Sequence, residues 1–399
     1  MARAGVAIVR SRGYGAGSMT PDNFRVALFS GNYNYTRDGA NQSLNLLVGH
    51  LLDRGVAVRV YSPTSKTPAF PPVGDLVDVP SIPMPFRADY KLARGLPASV
   101  RADLEAFAPN IVHVSAPEFL GHAAVRWARD KGVASLASVH TRFETYPAYY
   151  HLGFLEPAII RLLTRFYNKF DRIIAPSPSM IDLLRGWGVT PPMGIWSRGI
   201  DHDRFQPSRR SREWRRSLGI GDDDVAIGFL GRLVKEKGLD VFAEVLAELR
   251  RRGVPHKVLI VGKGPAQDWF ARATPDAIFA GYQTGDDLGR AVASMDIFFN
   301  PSVTETFGNV TTEAMAAGVP VVAANATGAM DLVADGETGF LVLPRDITGY
   351  ADALERIATD AALRRRFSDA GQARVADYRW DKVNETVIDT YRAMFADRA

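Results

Sequence analysis

From Phe24 onward the chain alternates short apolar runs with longer stretches of helical period, and the alternation restarts near Gly199. Apolar runs bounded by Gly, Pro or Ser predict strands buried on both faces. Helical stretches between them predict parallel α/β units rather than a sandwich or a bundle. The first set of strands is expected at residues 25–31, 57–63, 111–115, 134–140 and 172–177. The second is expected at 225–231, 257–262, 277–282, 297–302, 319–324 and 339–343. Two such sets imply two doubly wound domains facing a cleft. The 399-residue length agrees, because single cores stop growing at roughly 250–300 residues.

The expected division is a flexible leader at 1–22, a first domain at 23–198, a second at 199–374, and a C-terminal helix at 375–399 crossing back to the first. The leader's apolar run ends at Arg10, too short for a signal peptide, so a cytoplasmic protein is expected. With no cysteine in the chain, disulfides and thiolate chemistry are excluded. Residues 1–198 carry 22 Lys/Arg against 14 Asp/Glu, and residues 199–399 carry 26 against 30. The first half is therefore basic and suits an anionic partner or surface.

In open parallel sheets ligands bind beyond the carboxyl ends of the strands. There, "GRLVKEKGLDVF" places Arg232 and Lys237 in a Gly-flanked loop before a helix, which is either a diphosphate site or a solvated basic turn. "LIVGKGP" puts Gly262 in a second Gly-x-Gly turn, a weak signal that suits a tight turn as well as a ligand loop. "TETFGNVTTEAMAAG" reads as a loop carrying Glu305, then a helix capped by Asn309 and stopped at Gly318. Glu313 in its first turns either meets a ligand or simply suits the helix dipole, whereas the amides from Asn309 through Val310 to Thr311 suit a phosphate. In the first half, Asp38 and Gly39 follow the first strand, without the G-x-G-x-x-G of a dinucleotide site. His140 ends a strand, as a ligand group or a structural histidine. Ser177 and Ser179 are expected to cap a helix or line the cleft. The acidic runs at 201–203 and 222–224 lie in the hinge and at the wrong end of a strand for a metal, and no metal is expected.

Together, "GRLVKEKG", "VGKGP" and "SVTETFGNVTTEAMAAGVPVVA" resemble the retaining glycosyltransferases of the family-4 (group 1) type, from about Arg25 to the end of the chain. That resemblance implies the GT-B fold, α/β with two Rossmann-like domains, and a nucleoside-diphosphate sugar as co-substrate with no other cofactor. It implies Arg232 and Lys237 as the diphosphate clamp, and Glu313 as acceptor of the ribose hydroxyls. Glu305 would hold the donor sugar beside the backbone of Phe307, Gly308 and Asn309. His140 would meet the sugar from the first domain, and the Gly39 loop would lie near the phosphates and the acceptor. Two departures stand out: Gly39-Ala40 replaces a Gly-Gly pair, and Asp331 stands where the family commonly has a glutamate at the sugar.

The donor implied is GDP-mannose, with UDP-glucose, UDP-glucuronate and UDP-sulfoquinovose as alternatives, and the acceptor is a lipid or glycan; no nucleic acid is expected. A sugar-nucleotide epimerase and a non-catalytic sugar-nucleotide binder are the rival readings. Arg87, Lys91 and Arg94, with Phe86 and Tyr90 alongside, fall at helical intervals. They read as an interfacial helix on anionic lipid or as a solvated basic face. Arg161, Arg165 and Lys169 either extend that surface or line a helix's wet side.

Overall fold

The computed structural model describes residues 20, 23–36, 38–84, 87–150 and 152–396; the expected leader, Thr20 apart, and Phe86 lie outside them. The first half contains β1 (Arg25–Phe29), β2 (Ala57–Ser62), β3 (Asp75–Asp78), β4 (Ser81–Met84), β5 (Arg87–Ala93), β6 (Ile111–Val114), β7 (Ala134–Ser138), β8 (Arg172–Ala175) and β9 (Met193–Ile195). The second contains β10 (Ala226–Leu230), β11 (Lys257–Val261), β12 (Ala277–Gly281), β13 (Ile297–Asn300), β14 (Val321–Ala324) and β15 (Gly339–Val342). One sheet runs β3-β2-β1-β6-β7-β8-β9 and the other β12-β11-β10-β13-β14-β15, both with parallel pairing throughout. Chain order reverses beside β1 and beside β10, so each sheet has a switch point at its centre, where a crevice opens at the carboxyl ends.

Burial on both faces explains why the strands read as continuous apolar runs. Successive residues of β1 split between two cores. Val26 and Leu28 pack with Leu44, Leu47 and Leu51 of helix Gly39–Asp53, while Ala27 and Phe29 pack with Leu104, Val125 and Phe166. In β10, Ile227 and Phe229 face Phe242 and Leu354, whereas Ala226 and Leu230 face Met315 and Val319.

Helix Trp380–Ala396 packs on the first sheet's side of the molecule. Val387, Ile388 and Tyr391 enter the core shared with β1, the Trp196 indole N–H donates to Asn384 at 3.1 Å, and the Asn384 amide reaches the Leu46 carbonyl at 3.3 Å.

One local expectation fails. Residues 87–93 form β5, paired antiparallel with β4, and not an interfacial helix. The sequence explains it: Ala88, Tyr90 and Leu92 alternate with Arg87, Asp89 and Lys91, a period of two that a strand satisfies, and Arg87 and Lys91 share a side in either geometry. Arg94 lies beyond the strand, and the Lys91 ammonium is spent on the Thr64 carbonyl and stands 5.8 Å from the Tyr35 ring centroid.

Candidate active site

Where the carboxyl ends of the two sheets face each other lies a cleft of about 1410 Å³. Its wall brings together Gly39, His140, Arg232, Lys237, Glu305, Phe307, Gly308, Asn309, Val310 and Glu313. Gly262 is not among the lining residues. Its φ of +137° and a Cβ position only 1.9 Å from the Gly231 carbonyl oxygen show why glycine is needed there: it lets the loops after β10 and β11 touch.

Lys237 and Glu305 meet each other. The ammonium donates to Oε1 at 2.5 Å, with the carboxylate side chain 13% exposed. Arg232, exposed on the same wall, forms no ion pair among the described residues and is open to an anion.

Helix Asn309–Ala316 begins after Gly308, whose φ of +104° places it, and not Asn309, in the cap position. A left-handed residue turns the chain sharply from the Glu305 loop into the helix, leaving the first amides without a side-chain cap and directed at the cleft. Opposite stands helix Gly39–Asp53, capped by Asp38, whose Oδ1 accepts from the Asn41 amide at 2.8 Å. A Cβ at Gly39 would lie 3.1 Å from Asn309 Nδ2, so the two helix N-termini converge on one spot from opposite domains. Each contributes a positive dipole end.

The His140 ring is held by residues that sequence reasoning did not single out. Arg198 donates to Nδ1 at 2.9 Å, and Ser138 Oγ lies 2.9 Å from Nε2. Because a guanidinium can only donate, Nδ1 is an acceptor, the proton sits on Nε2, and Ser138 receives it. Burial, then the Arg198 charge, hold the imidazole pKa well below its usual value, so the ring is neutral. Arg198 is itself buried, with its pKa lowered to about 10 by desolvation, and it also donates to the carbonyls of Trp196 and Ser197 at 2.9 Å. It remains a cation, with no carboxylate partner among the described residues.

Two carboxyls are shifted toward neutrality. Burial pushes Glu313 up to about 8, with Asp201 adding to the rise and Arg204 opposing it. Burial likewise raises Glu118 to about 7; it follows β6 beside the end of β1, with its Oε2 enclosed and unpartnered.

Asp331 is not among the residues lining the cleft. It accepts the Ser179 amide at 3.2 Å and the Ser179 hydroxyl, tying the second domain to the first. Ser177 caps its helix through the Met180 amide at 3.3 Å and donates to the Thr306 carbonyl at 3.0 Å. Arg142 reaches Thr327 at 3.0 Å, and Thr306 Oγ1 donates to the His140 carbonyl at 3.1 Å. The domains are thus laced together around the cleft. In the acidic runs, Asp201 pairs with Arg204 at 3.1 Å, and Asp222 pairs with Arg216.

Residues 37–204 match the model described as Glycosyltransferase Family 4, and residues 224–360 match that described as Glycosyl transferases group 1. A "GDP-mannose-dependent alpha-mannosyltransferase" of Mycolicibacterium smegmatis is 33% identical over 383 residues, 94% of this chain and 99% of that protein. A protein of the same name from Corynebacterium glutamicum is 30% identical over 380 residues, 93% and 89% respectively. Sucrose-phosphate synthase from Thermosynechococcus elongatus shares the fold, with a TM-score of 0.75 at 20% identity over 94% of this chain and all of that one. With both domain models matched in order and full-length relatives at this identity, the chain belongs to the family 4, group 1 glycosyltransferases.

Proposed function

We propose that the protein is a retaining, metal-independent mannosyltransferase that moves mannose from GDP-mannose to a lipid or glycan hydroxyl. The observation that carries the reading is the convergence of two helix N-termini, Arg232, Lys237 and the buried Arg198 on one cleft beside a paired Glu305. Such a site suits a diphosphate that gains charge as the glycosidic bond breaks, and one preorganised donor of this kind is typically worth roughly 3–4 kcal/mol. The names of these relatives supply the mannose and the GDP.

In this reading Arg232 and Lys237 hold the diphosphate, with the Asn309 and Val310 amides beside it, and Glu313 accepts from the ribose. Glu305, oriented by Lys237, accepts hydroxyls of the sugar beside the Phe307–Asn309 backbone. The neutral His140 lines the sugar side of the cleft with its two ring nitrogens held by Arg198 and Ser138, so it adds no charge of its own there. No side chain need act as a nucleophile; the contribution is position and electrostatics. The Ser179–Asp331 and Arg142–Thr327 contacts keep the cleft closed over the reacting atoms.

Calorimetric titration with GDP-mannose, UDP-glucose, UDP-glucuronate and UDP-sulfoquinovose tests the proposal. GDP-mannose is expected to bind at least tenfold tighter than the others. A preferred UDP-sugar would replace the donor, and no binding by any of them would overturn the reading.

A further inference from the structure

We infer that the surface formed by helix Glu156–Tyr167 and the turn before it docks on an anionic lipid bilayer, presenting the cleft to acceptors that remain in the membrane. This deepens the lipid-acceptor part of the proposed function and rests on it.

The helix has two unlike sides. Leu163, Phe166 and Tyr167 are buried in the first domain, while Ala158, Arg161, Leu162 and Arg165 form an exposed stripe at helical spacing. Leu162 is 62% exposed, between two arginines that have no ion-pair partner among the described residues. Just ahead of the helix, the turn Gly153–Leu155 shows Phe154 at 76% exposure. Leu155 and Leu152 are exposed beside it. A solvated helix face has no use for apolar side chains so fully bared, whereas an interfacial helix seats them among acyl chains.

The charge around them has one dominant sign. Helix Phe119–Lys131 abuts this one, the His122 and Phe166 rings standing 4.6 Å apart, and it adds the exposed Arg126 and Arg129. Lys169, with burial as the first cause and Arg126 and Arg129 as the next, has its pKa lowered, and its ammonium donates to His122 Nδ1 at 3.1 Å. Glu156 and Asp130 are the exposed acidic residues on these two helices, against Arg126, Arg129, Lys131, Arg161 and Arg165. Lys131 is paired with Glu105 at 3.1 Å, but Arg126, Arg129, Arg161 and Arg165 have no ion-pair partner among the described residues, and such cations rimming exposed Phe and Leu side chains complement an anionic headgroup layer. Position supports the same occupant: the segment leaves the cleft at His140, is anchored to the second domain by Arg142, and reaches Phe154 through the 3₁₀ turns Phe143–Tyr150. A bilayer on this face would lie beside the cleft's first-domain wall.

The test is sedimentation of the full chain with vesicles of phosphatidylcholine alone or mixed equally with phosphatidylglycerol. Partition is expected onto the anionic vesicles, weakening as salt is raised, and falling at least tenfold in F154S/L162S and in R161Q/R165Q. All these positions are exposed, so thermal melting and GDP titration should match the parent protein. Absence of partition in the parent, or unchanged partition in either double variant, overturns the inference. So does a dimer in light scattering that F154S/L162S dissociates, which would assign the face to a second copy. Failure of GDP-mannose to bind the parent counts against the proposed function alone.

Discussion

The Lys237 ammonium lies 2.5 Å from Glu305 Oε1, so the cation offered to the diphosphate and the carboxylate offered to the sugar neutralise each other across the loops after β10 and β13. The two substitutions should therefore separate. Lys237→Ala is expected to weaken GDP binding about tenfold or more and to lower turnover by about 10²–10³-fold, the range seen when one preorganised donor is removed. Glu305→Gln should leave GDP binding within about threefold while transfer falls by a similar factor, since its target is the sugar. Titration with GDP, beside a transfer assay with labelled donor, distinguishes them.

His140 is expected to contribute no ionisation to the rate between about pH 6 and 8. Its folded pKa lies well below the usual 6.5, so below that pH the unfolded chain takes up a proton that the folded one refuses, and stability falls as the solution is acidified. Arg198→Met removes the neighbouring cation and the donor to Nδ1. Burial, the larger cause of the low pKa, stays in place, so the ring should remain neutral over that range with kcat flat, while NMR should show the fixed Nε2–H tautomer giving way to a mixture of the two.

Glu313 and Glu118 act in the opposite sense. Their folded pKa values, about 8 and about 7, lie above the ordinary 4.5, so between 4.5 and those values the folded protein holds protons that the unfolded one has lost. Stability contributed by the neutral carboxyls is full below pH 4.5 and drains away as pH rises through 7 and 8. Glu118→Gln and Glu313→Gln should each raise the melting temperature at pH 8.5 more than at pH 5, and Glu313→Gln should also weaken GDP binding. Equal shifts at both pH values would count against buried, neutral carboxyls.

Asp331→Ala removes a charge-assisted contact of a kind usually worth about 1.5–3 kcal/mol. Its expected effect is on domain closure: a larger radius of gyration by X-ray scattering and a raised KM, with the melting temperature changed by less than about 3 °C. Restoration of the compact form by saturating donor would confirm that the cleft, not the fold, has loosened.

Much of this architecture is legible in the chain. All eleven long apolar runs became strands, usually ending a residue or two early, because burial on both faces leaves a period-independent signal. β3, β4 and β9 escaped notice: a partly exposed edge strand written Asp-Leu-Val-Asp, a four-residue strand with Pro83 inside it, and a strand three residues long. β5 was misread because charges four residues apart lie on the same side of a helix and of a strand. At the site, residues in strand-end loops could be found by position, but Arg198 and Arg142 could not. Their partners stand 58 and 185 residues away, and nothing local in "IWSRGI" or "HTRFE" says that a guanidinium will orient an imidazole or bridge two domains.

The returning helix Trp380–Ala396 means that the chain passes between the domains twice, and the two passages touch: the Ile200 amide donates to the Tyr378 carbonyl at 2.7 Å, and a Cβ on Gly199 would lie 2.6 Å from Trp380 Cα. A single covalent thread would let the halves swivel and slide freely. Two threads bonded side by side act like the paired leaves of a door hinge, permitting rotation about one line and resisting translation. The first domain is also discontinuous in sequence, so a fragment ending before residue 200 would leave the β1 core without Val387, Ile388 and Tyr391. Grafting a new acceptor domain onto this second domain requires exchanging both ends of the polypeptide together.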